Sequence, residues 1–254
     1  MLFQKIKRFR IIIAIGFTSL MLTACTTQQI QQTVGTILGG VSADPTEGET
    51  AQGLKDALVI GIINGTGLLS KEDGFFKNDL VKIPWPQEAD FVANALQKVG
   101  AGGLVDKVTM SLNRAAEKAS GEAKEVFVTA IKQMTIQDAM NILFGGEGQA
   151  TAYLKKTTTP LLTEKFRPII DNALSTTNAT KFWGDATTTY NKIPFVKPVN
   201  TDLSGFVTQK ALDGVFLMVE KEENKIRQDP FARTTDLLKK VFGFADKKKS
   251  TQGQ

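Results

Sequence analysis

The sequence has no histidine and only one cysteine among its 254 residues. Without histidine there is no general base for a Ser-His-Asp triad, no partner for a catalytic cysteine and no imidazole proton shuttle. A zinc site built from Cys and His lacks its ligands as well. Catalysis would therefore depend on carboxylates, lysine, tyrosine or hydroxyl groups, and no spacing of such residues matches a known catalytic motif. We expect a protein that is not an enzyme and that holds no metal or cofactor.

The amino terminus is apolar but too short to cross a bilayer comfortably. Residues 1–10 carry four basic side chains and no acidic one, and the apolar run that follows ends at Leu22. A membrane-spanning helix needs about 20 apolar residues. This order of charged and apolar segments is typical of a secretory signal peptide, which we place at residues 1–24. The alternative interpretation is a transmembrane anchor with a cysteine nearby by chance.

The single cysteine stands at the end of this segment, in the string Leu22-Thr23-Ala24-Cys25. The string resembles a bacterial lipobox. The resemblance implies that signal peptidase recognises Leu22, Thr23 and Ala24, and that Cys25 receives acyl chains such as palmitate and becomes the new amino terminus. Two acyl chains are enough for stable membrane anchoring. Because Thr26 rather than Asp follows, we expect a bacterial envelope lipoprotein on the periplasmic face of the outer membrane rather than the inner membrane.

Little net charge remains once the signal peptide is removed. Cleavage takes four of the 31 basic residues and none of the 26 acidic ones, which lowers the net charge from +5 to +1. A protein that binds nucleic acid needs a basic surface to neutralise phosphates. We therefore expect no nucleic-acid partner, and we expect the remaining lysine clusters to be solvated surface.

The rest of the chain divides by composition into three parts. Residues 25–49 contain the lipidated cysteine and a tether rich in Gln, Thr and Gly, and residues 245–254 are expected to be a disordered tail. Between them, residues 50–244 show apolar residues with the period of an α-helix. No stretch alternates with period two for long enough to indicate a sheet. The sequence predicts an all-α bundle of about 8–10 helices, with irregular loops near residues 67–86 and 175–201.

Several local signals set the expected helix boundaries. Asn64-Gly65 interrupts the first apolar stripe, and we expect the first helix to stop there rather than to open a dinucleotide-binding loop at Gly65-Thr66-Gly67. Thr135 is expected to cap a helix together with Asp138, and Gly145-Gly146 to end it. Asp229-Pro230 is expected to cap and start the last helix. The segment 215–219 is apolar on all sides, which predicts a buried axis for the fold. The end of the same helix is charged, and Glu223 and Arg227, four residues apart, are expected to form a favourable pair.

Strings spread along the whole body resemble one bacterial family, filed as domain of unknown function 4197. The resemblance covers roughly residues 52–243 and implies a helical, exported domain without an assigned activity or catalytic residues. The matching strings include Asp73-Gly74-Phe75, Ile83-Pro84-x-Pro86, Met110-x-x-Asn113-Arg114-Ala115-Ala116-Glu117, Ala130-Ile131-Lys132-Gln133-Met134-Thr135, Val207-Thr208-Gln209-Lys210-Ala211-Leu212-Asp213-Gly214 and Glu222-Glu223-x-x-Ile226-Arg227.

These strings contain more polar residues than core packing requires. The candidate polar cluster consists of Asn113, Arg114, Glu117, Gln209, Lys210 and Asp213. One interpretation is a salt-bridge network that fixes helix register, and the other is a binding pocket between helices. Residues four apart share a helix face, so Asn113 lies with Glu117 and Gln209 with Asp213. We expect Arg114 to pair with an acid from another helix.

Three classes of function are compatible with the sequence. The favoured one is a non-enzymatic envelope lipoprotein that binds an envelope protein or supports envelope organisation. The second is a carrier that holds an apolar ligand or a lipid inside the bundle, because apolar residues are plentiful. The third and weakest is a peptidoglycan-acting enzyme that uses a carboxylate, although the Glu-Ser pair of the lytic transglycosylases is absent from the sequence.

Overall fold

The structure is a computed structural model that describes residues 44–98, 100, 102–192, 194–195 and 197–252. The predicted signal peptide, Leu22, Thr23, Ala24, Cys25 and nearly all of the predicted tether lie outside these residues. The described residues form helices joined by loops, with no strand among them, which confirms the all-α prediction. No described helix is long and apolar enough to span a membrane.

The described residues contain nine α-helices, labelled α1 to α9 in chain order. Short 3-10 turns at Gln87–Ala89 and Pro230–Ala232 precede α2 and α9. The helices are α1 Glu47–Leu69, α2 Asp90–Lys98, α3 Gly102–Ser120, α4 Ala123–Gln133, α5 Ile136–Phe144, α6 Gln149–Thr176, α7 Ala179–Tyr190, α8 Leu203–Gln228 and α9 Asp236–Gln252.

Helix α8 lies at the centre and packs against α1, α3 and α6. Its buried stripe runs through Val207, Ala211 and Val215, all with no exposed surface. Phe216 and Val219 are also buried, whereas Leu217 is 37% exposed. The predicted buried axis is therefore correct for most of its length, and one apolar side chain at its middle faces solvent.

Helix α1 continues past Asn64-Gly65 to Leu69, so the predicted stop is wrong. The end of α1 is held in place by packing, because Gly65, Thr66 and Leu69 are all buried. A Cβ atom on Gly65 would lie 3.5 Å from the backbone of Met218, and one on Gly61 would lie 3.3 Å from Glu222 Cβ. A small residue inside a helix thus serves packing here rather than termination.

The first predicted irregular stretch is confirmed from residue 70 to residue 86, but the second contains a helix that the sequence analysis missed. Helix α7 buries Ala179, Trp183 and Thr187, which are spaced by four residues and so share one face. Trp183 also packs edge-on against Trp85, with ring centroids 5.7 Å apart. The threonine-rich composition concealed a helix whose stability comes from this buried face.

Both ends of α9 differ from the prediction. Asp229 caps the 3-10 turn at Pro230–Ala232, and α9 itself begins later, at Asp236. The segment expected to be a disordered tail from residue 245 is helical to Gln252, because Ala245 remains buried and continues the apolar stripe of Leu238 and Val241. By contrast, the Thr135–Asp138 cap and the end of α5 at Gly145 are confirmed.

Candidate functional site

The loop after α1 is held to α3 by three polar side chains that the sequence analysis singled out. We call Asn113, Arg114 and Glu117 the α3 clamp. Asn113 is fully buried; its Oδ1 accepts a hydrogen bond from Ile83 N at 2.8 Å, and its Nδ2 donates to Ile83 O at 2.8 Å. The side chain of Asn113 therefore pairs with both the N–H and the C=O group of Ile83, as the backbone of a neighbouring β-strand would.

Glu117 provides the second attachment point of the clamp. It is 4% exposed, and its Oε1 accepts hydrogen bonds from the backbone N–H groups of Phe75 and Phe76, both at 3.1 Å. Its Oε2 accepts from Arg114 Nη1 at 2.7 Å. Both oxygens of this buried carboxylate are therefore occupied by donors within the fold, as a buried charge requires.

Arg114 joins the clamp to the start of the loop. Its Nη2 lies 2.7 Å from Asp73 Oδ1 and 3.4 Å from Glu72 Oε1. Arg114 therefore pairs with acids of the loop and of its own helix, not with an acid from another helix as predicted. Hydrogen bonds from Lys77 and Arg114 hold the pKa of the Asp73 carboxyl below its usual range. In turn, Glu117 and Asp73 raise the pKa of Arg114.

The loop can follow this path because of the glycine at position 74. A Cβ atom there would lie 2.5 Å from Leu68 O and 2.6 Å from Leu69 O, closer than any side chain permits. Asp73 just before it adopts a left-handed backbone conformation, with φ of 66°. The string Asp73-Gly74-Phe75 therefore forms a tight turn that aims the Phe75 N–H at Glu117.

The other half of the predicted polar cluster lies apart, on the exposed face of α8. Gln209 Nε2 donates to Asp213 Oδ1 at 2.9 Å, and Lys210 Nζ lies 5.9 Å from the centre of the Phe206 ring. The predicted cluster is thus two sites, since the loop around Ile83 separates them. Ile83 binds Asn113 through its backbone and lines a pocket together with Lys210 and Asp213.

That pocket is one part of a longer depression. It holds about 200 Å³, and an adjoining pocket of about 380 Å³ shares Asp213 and Leu217 with it. We call the two together the α8 cleft. It runs from the loop after α1, across α8, to the first turns of α6. Its walls are formed by Leu80, Val81, Lys82, Ile83, Pro84, Gly148, Thr151, Ala152, Lys155, Lys210, Asp213, Gly214, Phe216, Leu217 and Glu220.

Three lysines surround the α8 cleft without acidic partners. Lys82, Lys155 and Lys210 form no ion pair within the described part of the chain. Each lies over an aromatic ring instead, with Lys82 Nζ 4.9 Å from the Phe76 centroid. The cleft therefore combines exposed Leu80 and Leu217 with ammonium groups that a ligand could pair with. Asp213 and Glu220 also line it, so its lysines outnumber its acidic side chains by three to two.

A second buried network was visible in the sequence only as a Glu223–Arg227 pair on a charged helix end. The two side chains are 3% and 6% exposed and lie 2.9 Å apart. Glu223 accepts from the N–H groups of Ala150 and Thr151 at the start of α6, while Arg227 donates to Leu143 O and Ile142 O at the end of α5. Each charge thus meets the helix terminus of opposite partial charge. Spacing indicated the pair, but not the helix ends that enclose it.

Among the residues that the structure places, no group of three or more Asp, Glu, His or Cys side chains could hold a metal ion. The molecule is thus an all-helical domain in which buried polar networks fix loops and helix ends, beside an open amphipathic cleft.

A family model for proteins of unknown function, DUF4197, matches residues 44–243. The chain belongs to this family. No curated protein and no solved structure matches it.

Proposed function

We propose that the protein is a non-enzymatic binding module, anchored in the outer membrane by acylated Cys25, whose partner is an envelope protein docked in the α8 cleft. The observation that carries this proposal is the chemistry of the cleft. Exposed apolar side chains lie beside Lys82, Lys155 and Lys210, which have no carboxylate partner in the described chain. The partner that fits is an amphipathic segment with acidic side chains.

The two buried carboxylates suit a structural role rather than a catalytic one. A catalytic glutamate of such an enzyme must present its carboxyl group to the sugar. Glu117 and Glu223 have their oxygens occupied by backbone amides and by arginine. Their arrangement suits the positioning of loops and helices.

The pockets also favour a protein partner over a carried lipid. The apolar pocket between α1, α8 and α9, lined in part by Leu54, Leu58 and Phe242, has room for about 10 Å³. That is room for about one water molecule and far too little for an acyl chain. The α8 cleft is larger but open to solvent and edged by charged side chains, as expected for a surface that another protein covers.

The docking proposal is tested by photo-crosslinking in cells. A photoreactive amino acid replaces Leu217 in the cleft or, as the control, Leu161 on α6, which is similarly exposed at 43% and is not part of the cleft wall. We expect a crosslinked protein at position 217 whose attached peptide is acidic, and its loss when Lys82→Glu and Lys210→Glu are added. The same crosslinks at both positions, or no effect of charge reversal, would contradict the proposal.

The anchor and the carrier alternative have separate tests. Labelled palmitate should be incorporated into the wild-type protein and not into Cys25→Ser, and labelling of the variant would refute lipidation at this cysteine. Native mass spectrometry of residues 26–254 should show no bound small molecule. Extra mass that disappears on denaturation would favour the carrier function instead.

A further inference from the structure

The carboxyl-terminal part of α9 is rich in lysine. Helix α9 carries five lysines and two aspartates. Asp246 is paired with Arg233 at 2.8 Å, and Asp236 lies 3.4 Å from Lys239. Lys240 is paired with Glu49 at 3.1 Å. This leaves Lys247, Lys248 and Lys249 without an acidic partner among the residues that the structure describes.

The three lysines stand beside aromatic surface. Lys248 Nζ lies 4.9 Å from the centre of the Phe244 ring and 5.0 Å from that of Phe144. Phe244 is half-buried, and residues 246–251 are exposed. We call Phe244, Lys247, Lys248 and Lys249 the α9 basic face; the first three share one side of the helix, and the long side chain of Lys249 extends from the adjoining side. Aromatic rings with adjacent lysines suit the boundary between lipid headgroups and acyl chains, where the ammonium groups reach the headgroups.

The start of α1 lies against the same helix. The Glu49–Lys240 ion pair joins the first turn of α1 to α9, and Thr46 caps that turn. Lys248 is eight residues further along α9, which is about 12 Å at the helical rise. The first turn of α1 therefore contacts α9 about two helical turns before the α9 basic face.

We propose that the α9 basic face binds the surface of a bilayer that contains anionic phospholipids and so orients the domain on its membrane. This orientation rests on the proposed anchor at Cys25, whereas the affinity of the face for lipid does not. Charge complementarity selects the occupant, because each lysine near an anionic surface adds a favourable interaction. The α8 cleft then remains available for the partner protein.

Co-sedimentation with vesicles tests this affinity without an anchor. Residues 26–254, which lack the signal peptide and Cys25, are mixed with vesicles of phosphatidylcholine alone or of phosphatidylcholine with phosphatidylglycerol. We expect sedimentation with the anionic vesicles, weakening as salt rises, and little with the neutral ones. Absence of binding to anionic vesicles, or equal binding to both kinds, would overturn the proposal.

A matched pair of variants locates the surface. Replacing Lys247, Lys248 and Lys249 by Gln should weaken binding about fivefold per lysine, roughly 100-fold in total. The control replaces Lys118, Lys165 and Lys181 by Gln; these exposed lysines of α3, α6 and α7 form no ion pair among the described residues and give the same charge change. The control should bind like wild type.

The outcomes separate this inference from the proposed function. An equal loss in both triple variants would mean that net charge, not the α9 basic face, drives binding, and would overturn the inference. Failure of palmitate labelling at Cys25 would remove the anchor while leaving the vesicle result unchanged. Circular dichroism of each variant checks that helix content is retained.

Discussion

Glu117→Gln tests whether the α3 clamp holds the loop after α1. The substitution keeps the shape of the side chain and removes its charge. Oε1 can still accept from the N–H groups of Phe75 and Phe76, but the amide NH2 would face Arg114 Nη1, which is itself a donor. The variant therefore loses one charge-assisted hydrogen bond and places two donors against each other.

The expected cost follows from the burial of the two partners. A hydrogen bond to a charged group contributes about 1.5–3 kcal/mol. The Arg114 side chain is 33% exposed and keeps its contact with Asp73, so we expect the lower part of this range, about 2 kcal/mol. Glu117→Ala also leaves the amide of fully buried Phe75 without its acceptor, which raises the expected cost to about 4 kcal/mol.

Equilibrium unfolding in urea measures both values. With a slope of about 2 kcal/mol per molar urea, Glu117→Gln should lower the unfolding midpoint by about 1 M. Asp106→Asn is the control, because it neutralises an exposed carboxylate on the same helix and should change stability by no more than about 0.5 kcal/mol. If Glu117→Gln unfolds at the same urea concentration as this control, the clamp does not stabilise the fold and our reasoning is refuted.

Three further predictions concern the second network, the tight turn and acid stability. Arg227→Ala should destabilise the fold by about 3–5 kcal/mol, because it leaves buried Glu223 uncompensated, whereas Arg167→Ala, at a surface pair, should cost at most about 1 kcal/mol in the same urea assay. Gly74→Ala should lower the melting temperature because its Cβ would collide with two carbonyl oxygens, while Gly67→Ala, inside α1 with open space, should raise it; the opposite order would contradict the turn geometry. The pKa of Asp73 is lowered in the folded state, so its contribution is present above the unfolded pKa of about 3.9 and is lost as pH falls through the folded value. Wild type should therefore exceed Asp73→Asn in stability at neutral pH and lose this advantage on acidification. A constant difference across that range would argue against the contacts of Asp73 with Lys77 and Arg114.

Local signals in the sequence were reliable where one helix end or one helix face decides the outcome. The Thr135–Asp138 cap depends only on two residues that stand three positions apart in the chain. The Glu223–Arg227 pair depends only on two residues that stand one helical turn apart. The stripe of Val207, Ala211 and Val215 likewise follows from the helical period. In each case the partner is close in the chain, so spacing contains the needed information.

The same signals failed where a distant residue decides. Gly65 lies inside α1 and is buried next to Met218 of α8, and no spacing within α1 reports that packing. Helix α7 is stabilised by the buried contact of Trp183 with Trp85, about a hundred residues away. A threonine-rich composition argues only weakly against a helix, and tertiary packing of this kind overrides it.

The candidate site shows the same division. The sequence by itself determined which polar residues stand beside apolar helix faces, and it predicted the signal peptide and lipidated Cys25 outside the described residues. Only the tertiary structure decided that Asn113, Arg114 and Glu117 face the loop while Lys210 and Asp213 face solvent. The physical reason is that the backbone of one loop, around Ile83, passes between the two groups, and its path is set by hydrogen bonds between residues far apart in the chain.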